Sequence, residues 1–277
     1  NYILNDFDGL KVTTVHDLSH YRYPEYHPLD RQRWLNTYLG NSLEAADAIV
    51  TVSSFSKQEI IDIYQTDPDK IFIIPPALSQ DFLVPPNPQQ LMTVKEHYQL
   101  PEQFILSVGN LEPRKNLPGL IRAYQQLPKQ QQQKFPLIIA GNKAWLSDDI
   151  KTLIEKMERQ GLLRWIGYVA QKDLPALYSL AALFVYISFY EGFGMPIREA
   201  LACNTPVITS NVSAMPEAAA GCAVLVDPQN ETALVDNLRR KLDNLLSSKE
   251  NITPQPPLLS WDDAAQQLLQ VFERISQ

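Results

Sequence analysis

Leu183-Phe184-Val185-Tyr186-Ile187-Ser188-Phe189-Tyr190-Glu191-Gly192-Phe193-Gly194-Met195-Pro196-Ile197-Arg198-Glu199 runs from a block of apolar residues straight into a helix start. The block shows no polar alternation, so it reads as a strand, Leu183–Ile187, buried on both faces. Gly192 and Gly194 let the backbone approach a ligand closely or turn through positive φ. Pro196 suits a first helical turn, and Asn204 with Pro206 stops the helix at its far end. The free N–H groups at such a helix start form an anion site, where a charge is worth about 0.3–1 kcal/mol and more when partly buried. Glu191 lies before the turn and Glu199 one turn inside the helix. Two acceptor-only carboxylates so placed can hold two hydroxyl-bearing parts of one ligand, with phosphates on the backbone of Gly192, Phe193, Gly194 and Met195 between them. The ordinary reading stays open on these residues alone: Glu near a helix start complements the dipole, and Gly-x-Gly is a common turn.

Outward from this stretch the same unit recurs. Strands are predicted at Phe104–Val108, Leu137–Ala140, Leu163–Ile166, Pro206–Thr209 and Ala223–Val226, with helices near 116–127, 148–160, 172–181, 195–203, 213–219 and 231–246. Buried strands alternating with helices predict a parallel, doubly wound α/β sheet, whose ligands sit beyond the carboxyl ends of the strands. A smaller version opens the chain: strand Lys11–Val15, helix Leu29–Ala46, strand Ala48–Val52, Ser53 capping helix 54–64, and strand Ile71–Ile74. Two or three strands are few for a Rossmann-like unit, so this N-terminal domain is expected to be incomplete. Pro75-Pro76 and Pro85-Pro86-Asn87-Pro88 read as a stiff linker, Gln130–Gln133 as a solvated loop, and Asn251–Leu259 as a connector to a last helix, Trp261–Ser276. The expected division is 1–80, 81–260 and a terminal helix 261–277 that returns toward the N-terminal domain.

The strand ends carry the remaining chemistry. Gly109-Asn110-Leu111-Glu112-Pro113-Arg114-Lys115-Asn116 follows Phe104–Val108, with Asn116 placed to cap the next helix and Pro118 in its first turn. Lys115 offers a point charge to a phosphate, and Arg114 a bidentate fork. A solvated basic pair is the alternative. His16-Asp17 ends the strand Lys11–Val15; His16 can meet a sugar hydroxyl or be an ordinary structural histidine, and Asp17 can orient it or face water. Gly141-Asn142-Lys143, Gly167-Tyr168-Val169 and Glu217 are weaker features at the same edge.

Composition narrows the field. The 277 residues are 45% apolar with a net charge of −7, which argues against nucleic acid as a partner. Cys203 and Cys222 belong to no metal-ligand or disulfide pattern, and no spanning helix or signal peptide is read. Neither a Gly-x4-Gly-Lys-Ser/Thr loop nor a Gly-x-Ser-x-Gly elbow occurs. No metal site is expected, so phosphate binding must rest on Lys, Arg and helix ends.

Three motifs in order resemble glycosyltransferase family four, in particular its bacterial mannosyltransferase-like members. Gly109 to Asn116 resembles the family's Gly-x-x-x-x-Arg-Lys-Asn segment, Glu191 to Glu199 its Glu-x7-Glu motif, and Thr14-Val15-His16-Asp17-Leu18 with Tyr23-Pro24 its acceptor-domain segment. Ser260-Trp261-Asp262 resembles the opening of its terminal helix. The resemblance implies the glycosyltransferase-B architecture, two Rossmann-like domains facing a cleft. It implies a retaining transfer of a hexose from a nucleotide sugar, GDP-mannose the first choice, to a glycan or lipid-linked acceptor, without a cofactor or required metal. It implies a catalytic set of His16, Lys115 and Glu191. Donor contacts would come from Gly109, Asn110, Arg114, Lys115, Gly141, Val169, Gly192, Phe193, Gly194, Met195 and Glu199. Glu191 would hold sugar hydroxyls, Glu199 the ribose, Lys115 with Arg114 the diphosphate, and Val169 would border the base. A place in cell-surface polysaccharide synthesis, in the cytoplasm or at the inner membrane face, is a further expectation; no oligomeric state is read. Asn110 stands where many members have Arg, which shifts weight onto Lys115 and Arg114. Alternatives of a different class are a donor-binding fragment, a non-catalytic nucleotide-sugar-binding protein, and a sugar-nucleotide epimerase on the same fold.

Overall fold

The computed structural model describes residues 3–4, 7–142, 148–247 and 259–276. Lys143 and most of the proposed connector at 251–259 lie outside the described residues.

The first part of the chain runs β1 (Val12–Val15), α1 (Ser19–Arg22), α2 (Leu29–Ala45), β2 (Ala48–Thr51), α3 (Ser54–Tyr64) and β3 (Ile71–Ile73). Its sheet is parallel in the order β1-β2-β3, closed over by Leu39 and Leu43 of α2 and Ile60 of α3. Then follow α4 (Pro88–His97), β4 (Ile105–Val108), α5 (Leu117–Gln125), α6 (Lys129–Lys134), β5 (Leu137–Ala140), α7 (Asp148–Arg159), β6 (Leu163–Gly167), α8 (Leu174–Leu180), β7 (Leu183–Tyr186), α9 (Met195–Ala202), β8 (Val207–Ser210), α10 (Met215–Ala219), β9 (Val224–Val226) and α11 (Glu231–Leu246). The last helix, α12 (Trp261–Ile275), lays Arg274 over the ring of Phe72 in β3, 5.1 Å from its centroid.

The second sheet is wholly parallel, in the order β6-β5-β4-β7-β8-β9. Alternate residues of each strand feed two cores. Leu106, Ile138 and Phe184 face α8, α9 and α10, while Ile105, Leu137, Leu183 and Ile208 face α5 and α11. Strand order reverses at β4 and β7. These two pair only through Ile105–Leu183 and Leu106–Phe184, so their carboxyl ends are unpaired with one another. That parting is the switch-point crevice at which ligands of doubly wound sheets bind.

The six strands fall within a residue or so of their sequence positions. Three local expectations are corrected. Gln130–Gln133 is not a solvated loop: it lies in α6, and Gln131 and Gln132 are buried. The Gln132 amide donates to the carbonyls of Gln125 and Leu127, and Gln131 donates to Asp243, so long polar side chains are buried because their donors are met. Pro85-Pro86-Asn87-Pro88 is more than a linker, since Asn87 forms a capping box with Gln90 at the head of α4. Asn116 does not cap α5 through its side chain. It adopts the left-handed conformation at φ 53° and donates instead to the carbonyl of Pro228, 2.9 Å away.

Candidate active site

The loop after β4 and the loop after β7 meet in the crevice. Pro113, Arg114 and Lys115 form one turn of 3-10 helix that aims both cations across it. The Phe189 N–H donates to the Arg114 carbonyl at 2.8 Å, tying the loops together at the backbone.

Glu191 lies at the centre. Its Oε1 accepts from Lys115 Nζ at 2.6 Å and from the Tyr186 hydroxyl at 2.7 Å; its Oε2 accepts from Arg114 Nη1 at 2.6 Å. Lys115 also donates to the Tyr186 oxygen at 2.6 Å and sits 5.0 Å from that ring's centroid. Arg114 spends its Nε on Glu112 at 2.8 Å and shares Nη1 with the Tyr190 carbonyl at 3.1 Å. Glu112, Arg114, Lys115 and Glu191 thus form a cluster of two cations and two carboxylates, all mostly shielded from water. Burial opposes ionisation of Glu191, but Lys115 and Arg114 outweigh it and hold the carboxyl at about 2. Buried ion pairs gain little over apolar packing, so stability alone is a weak reason for this one.

Counting valences shows what the cluster has left to offer. A carboxylate has about four lone-pair sites, and Glu191 uses three, leaving about one for a ligand hydroxyl. The ammonium of Lys115 has three donors and commits two to Tyr186 and Glu191. Beside it, Gly109, Asn110 and Tyr186 line a cavity of about 20 Å³, room for about one water.

The glycines act through space. Gly141 has φ +144°, and a Cβ there would stand 1.9 Å from the Gly109 carbonyl oxygen, so the two strand-end loops touch backbone to backbone. A Cβ on Gly192 would stand 2.0 Å from the carbonyl oxygen of His16. Gly194 takes φ 108° and caps α9 at Met195, leaving the first N–H groups of that helix without intrahelical partners four residues after Glu191 begins the turn.

The candidate residues therefore fall into groups. Gly109, Arg114, Lys115 and Glu191 converge. The backbone of His16 abuts Gly192, while its side chain is exposed at the end of β1. Asp17 accepts from the N–H and hydroxyl of Ser19, so it heads α1. Glu199 is held by the Tyr178 hydroxyl at 2.8 Å, and burial raises its carboxyl above the ordinary range. Phe193 and Val169 are buried in the apolar core on one face of the sheet, so their side chains are not offered to the crevice; Asn110 is exposed. Glu217 bonds across to the first unit, taking the Ser54 N–H at 2.9 Å. The sequence reading missed Tyr186 and Tyr190, because hydropathy counts a buried tyrosine as core and is blind to where its hydroxyl goes. The usable signal was a tyrosine at the end of an otherwise wholly apolar strand, since a buried phenol needs a partner. Among the described residues no group of three His, Cys, Asp or Glu is arranged to hold a metal.

Fold and site define a doubly wound α/β protein with a charge-paired, glycine-lined crevice at the switch point of its larger sheet. Residues 92–254 match the family described as Glycosyl transferases group 1, and residues 8–82 match Glycosyltransferase Family 4. The O-antigen chain mannosyltransferase B of Escherichia coli is 40% identical over 267 residues, covering 95% of this chain and 70% of that protein. A serotype-specific mannosyltransferase WbdA of Escherichia coli is 31% identical over 246 residues, 84% of this chain but 29% of its own length. Among solved structures, sucrose-phosphate synthase from Thermosynechococcus elongatus superposes with a TM-score of 0.71 at 22% identity, over 98% of this chain and 69% of that one. WaaG, a glycosyltransferase involved in lipopolysaccharide biosynthesis, does so at 0.70 and 18%, over 96% and 75%. The chain belongs to the family-four glycosyltransferases, in their bacterial mannosyltransferase-like group, with the glycosyltransferase-B fold.

Proposed function

We propose that this glycosyltransferase moves mannose from GDP-mannose, with retention at the anomeric carbon, to a hydroxyl of a growing cell-surface polysaccharide or its lipid-linked precursor. The observation that carries the reading is the convergence of Lys115, Arg114 and Glu191 at the parting of β4 and β7, with Glu191 four residues ahead of α9 in the chain. The mannosyltransferase relatives support the choice of sugar and the polysaccharide setting.

In this reading the diphosphate lies between Lys115 and the N–H groups at Gly194 and Met195. The bond from the anomeric carbon to the β-phosphate oxygen breaks, and its electron pair leaves with GDP. Lys115, with Arg114 behind it, and the head of α9 stabilise that negative charge as it grows, through groups whose own hydrogen bonds hold them fixed. The acceptor oxygen bonds to the anomeric carbon from the face the phosphate leaves, and its proton passes to a phosphate oxygen. Glu191 gives its remaining lone pair to a sugar hydroxyl, Glu199 reaches the ribose, and His16 lies toward the acceptor. Charge is neutralised by these groups in place of a divalent ion. The work is done in the cytoplasm, at the inner membrane face where a lipid-linked acceptor is met; among the described residues no helix is long and apolar enough to cross a membrane.

The test is to incubate the full-length enzyme with GDP-mannose, or with UDP- and ADP-sugars, and a mannose-terminated oligosaccharide. Release of GDP together with an acceptor heavier by one hexose is the expected result. Tight GDP binding by calorimetry with no transfer would mark a binding protein instead, and interconversion of the donor without an acceptor would mark an epimerase.

A further inference from the structure

Tyr190 stands next to Glu191 in the chain, yet its side chain belongs to the other half of the molecule. It is 3% exposed, and its ring packs edge-on against Phe55 and tilted against Tyr23, with centroids 5.6 Å away in both cases. Its hydroxyl donates to Glu59 Oε2 of α3 at 2.8 Å and accepts from the Leu18 N–H at 3.1 Å. Leu18 directly follows His16-Asp17. Glu59 is itself buried and is fixed by Arg22, 2.6 Å away. The carbonyl of Tyr190, meanwhile, holds Arg114 of the charge cluster. One residue therefore ties its backbone to Arg114 of the charge cluster and its phenol to the strand end that carries His16.

We propose that Tyr190, with Glu59 as its anchor, is a positioning pair that sets the acceptor side against the charge cluster. The proposal rests on the glycosyltransferase reading above and deepens it. A buried phenol that fills one donor and one acceptor across an interface fixes the two surfaces in one arrangement, because any slide breaks both bonds at once. Such a pair acts on the geometry of the reacting atoms, whereas the diphosphate is gripped by groups on the donor side alone. Its loss therefore slows transfer without loosening the nucleotide.

The experiment uses the full-length enzyme with the donor and acceptor that support transfer in the wild type. Tyr190→Phe keeps the ring and removes the hydroxyl. Its kcat is expected to fall about tenfold, with the Kd for GDP held within twofold. Glu59→Leu should do the same, Glu59→Gln, which retains an oxygen to accept from the phenol, should lose less, and Tyr190→Phe with Glu59→Leu should be no worse than either alone. A kcat for Tyr190→Phe within twofold of wild type overturns the proposal. So does a tenfold loss of GDP affinity alongside kcat, or losses in the two variants that multiply. A wild-type enzyme that transfers nothing condemns the functional reading itself, a different outcome from transfer that is indifferent to Tyr190.

Discussion

Lys115 Nζ lies 2.6 Å from Glu191 Oε1 across the parting of β4 and β7, although the two residues are 76 apart in the chain. The pairing leaves a nearly buried ammonium held by Glu191 and the Tyr186 hydroxyl together.

Removing that ammonium is expected to remove charge stabilisation from the leaving diphosphate. Losing one such group commonly costs about 10² to 10³ in rate, so Lys115→Ala should lower kcat by that factor in steady-state assays. Turnover within threefold of wild type would take Lys115 out of the mechanism.

Acid should loosen the cluster in a defined window. The folded Glu191 carboxyl sits at about 2, against 4.5 as its ordinary value. A carboxyl with a depressed value stabilises the fold fully above the ordinary value and loses that contribution as pH falls toward the depressed one. Urea unfolding between pH 6 and pH 3 should show stability falling, with a shallower fall in Glu191→Gln. Equal slopes would mean that Glu191 is not the group responsible.

Glu199 is expected to report on nucleotide binding and little on chemistry. Glu199→Ala should raise the Kd for GDP about tenfold, measured by calorimetry, because a hydrogen bond to a charged group is worth about 1.5–3 kcal/mol. Tyr178→Phe, which removes only the hydroxyl that holds the carboxylate, should raise it less. If Glu199→Ala binds GDP as wild type does, the ribose contact is elsewhere.

Gly192 has no room for a methyl group, since its Cβ would meet the His16 carbonyl oxygen at 2.0 Å and Asp17 Cβ at 2.8 Å. Gly192→Ala should therefore spread the acceptor side from the donor loop. A loss of stability of about 1–3 kcal/mol in chemical unfolding and a fall in kcat of at least tenfold are expected. A variant with wild-type stability and kcat would show that the two sides separate freely.

Much of this was readable from the residues. Aliphatic runs such as Leu137–Ala140 without alternation announce strands covered on both sides, and ordering them with helices announces the parallel sheet. The Gly109 and Gly192 motifs announce two strand-end loops that approach neighbouring backbone too closely for a side chain. What escaped reading were side chains whose partners come from distant segments. Gln131 looks solvent-facing until Asp243 is beside it, and Asn116 looks like a helix cap until Pro228 supplies a carbonyl. Tyr190 reads as an apolar neighbour of the motif, and only tertiary structure puts Glu59 within reach of its hydroxyl. Local pattern reports periodicity and turn chemistry; it carries no information on which remote polar group will complete a buried donor.

The adjacency of β4 and β7 also bears on how the enzyme matures. Between them the chain lays down β5 and β6 to one side before it returns, so the two halves of the crevice meet only when β7 docks beside β4. Closing so long a loop is slow, and its entropic cost is met only when the returning strand docks. Nucleotide affinity in a refolding time course should consequently appear with the last cooperative phase, which makes ligand capture a probe of completed assembly and not of early collapse.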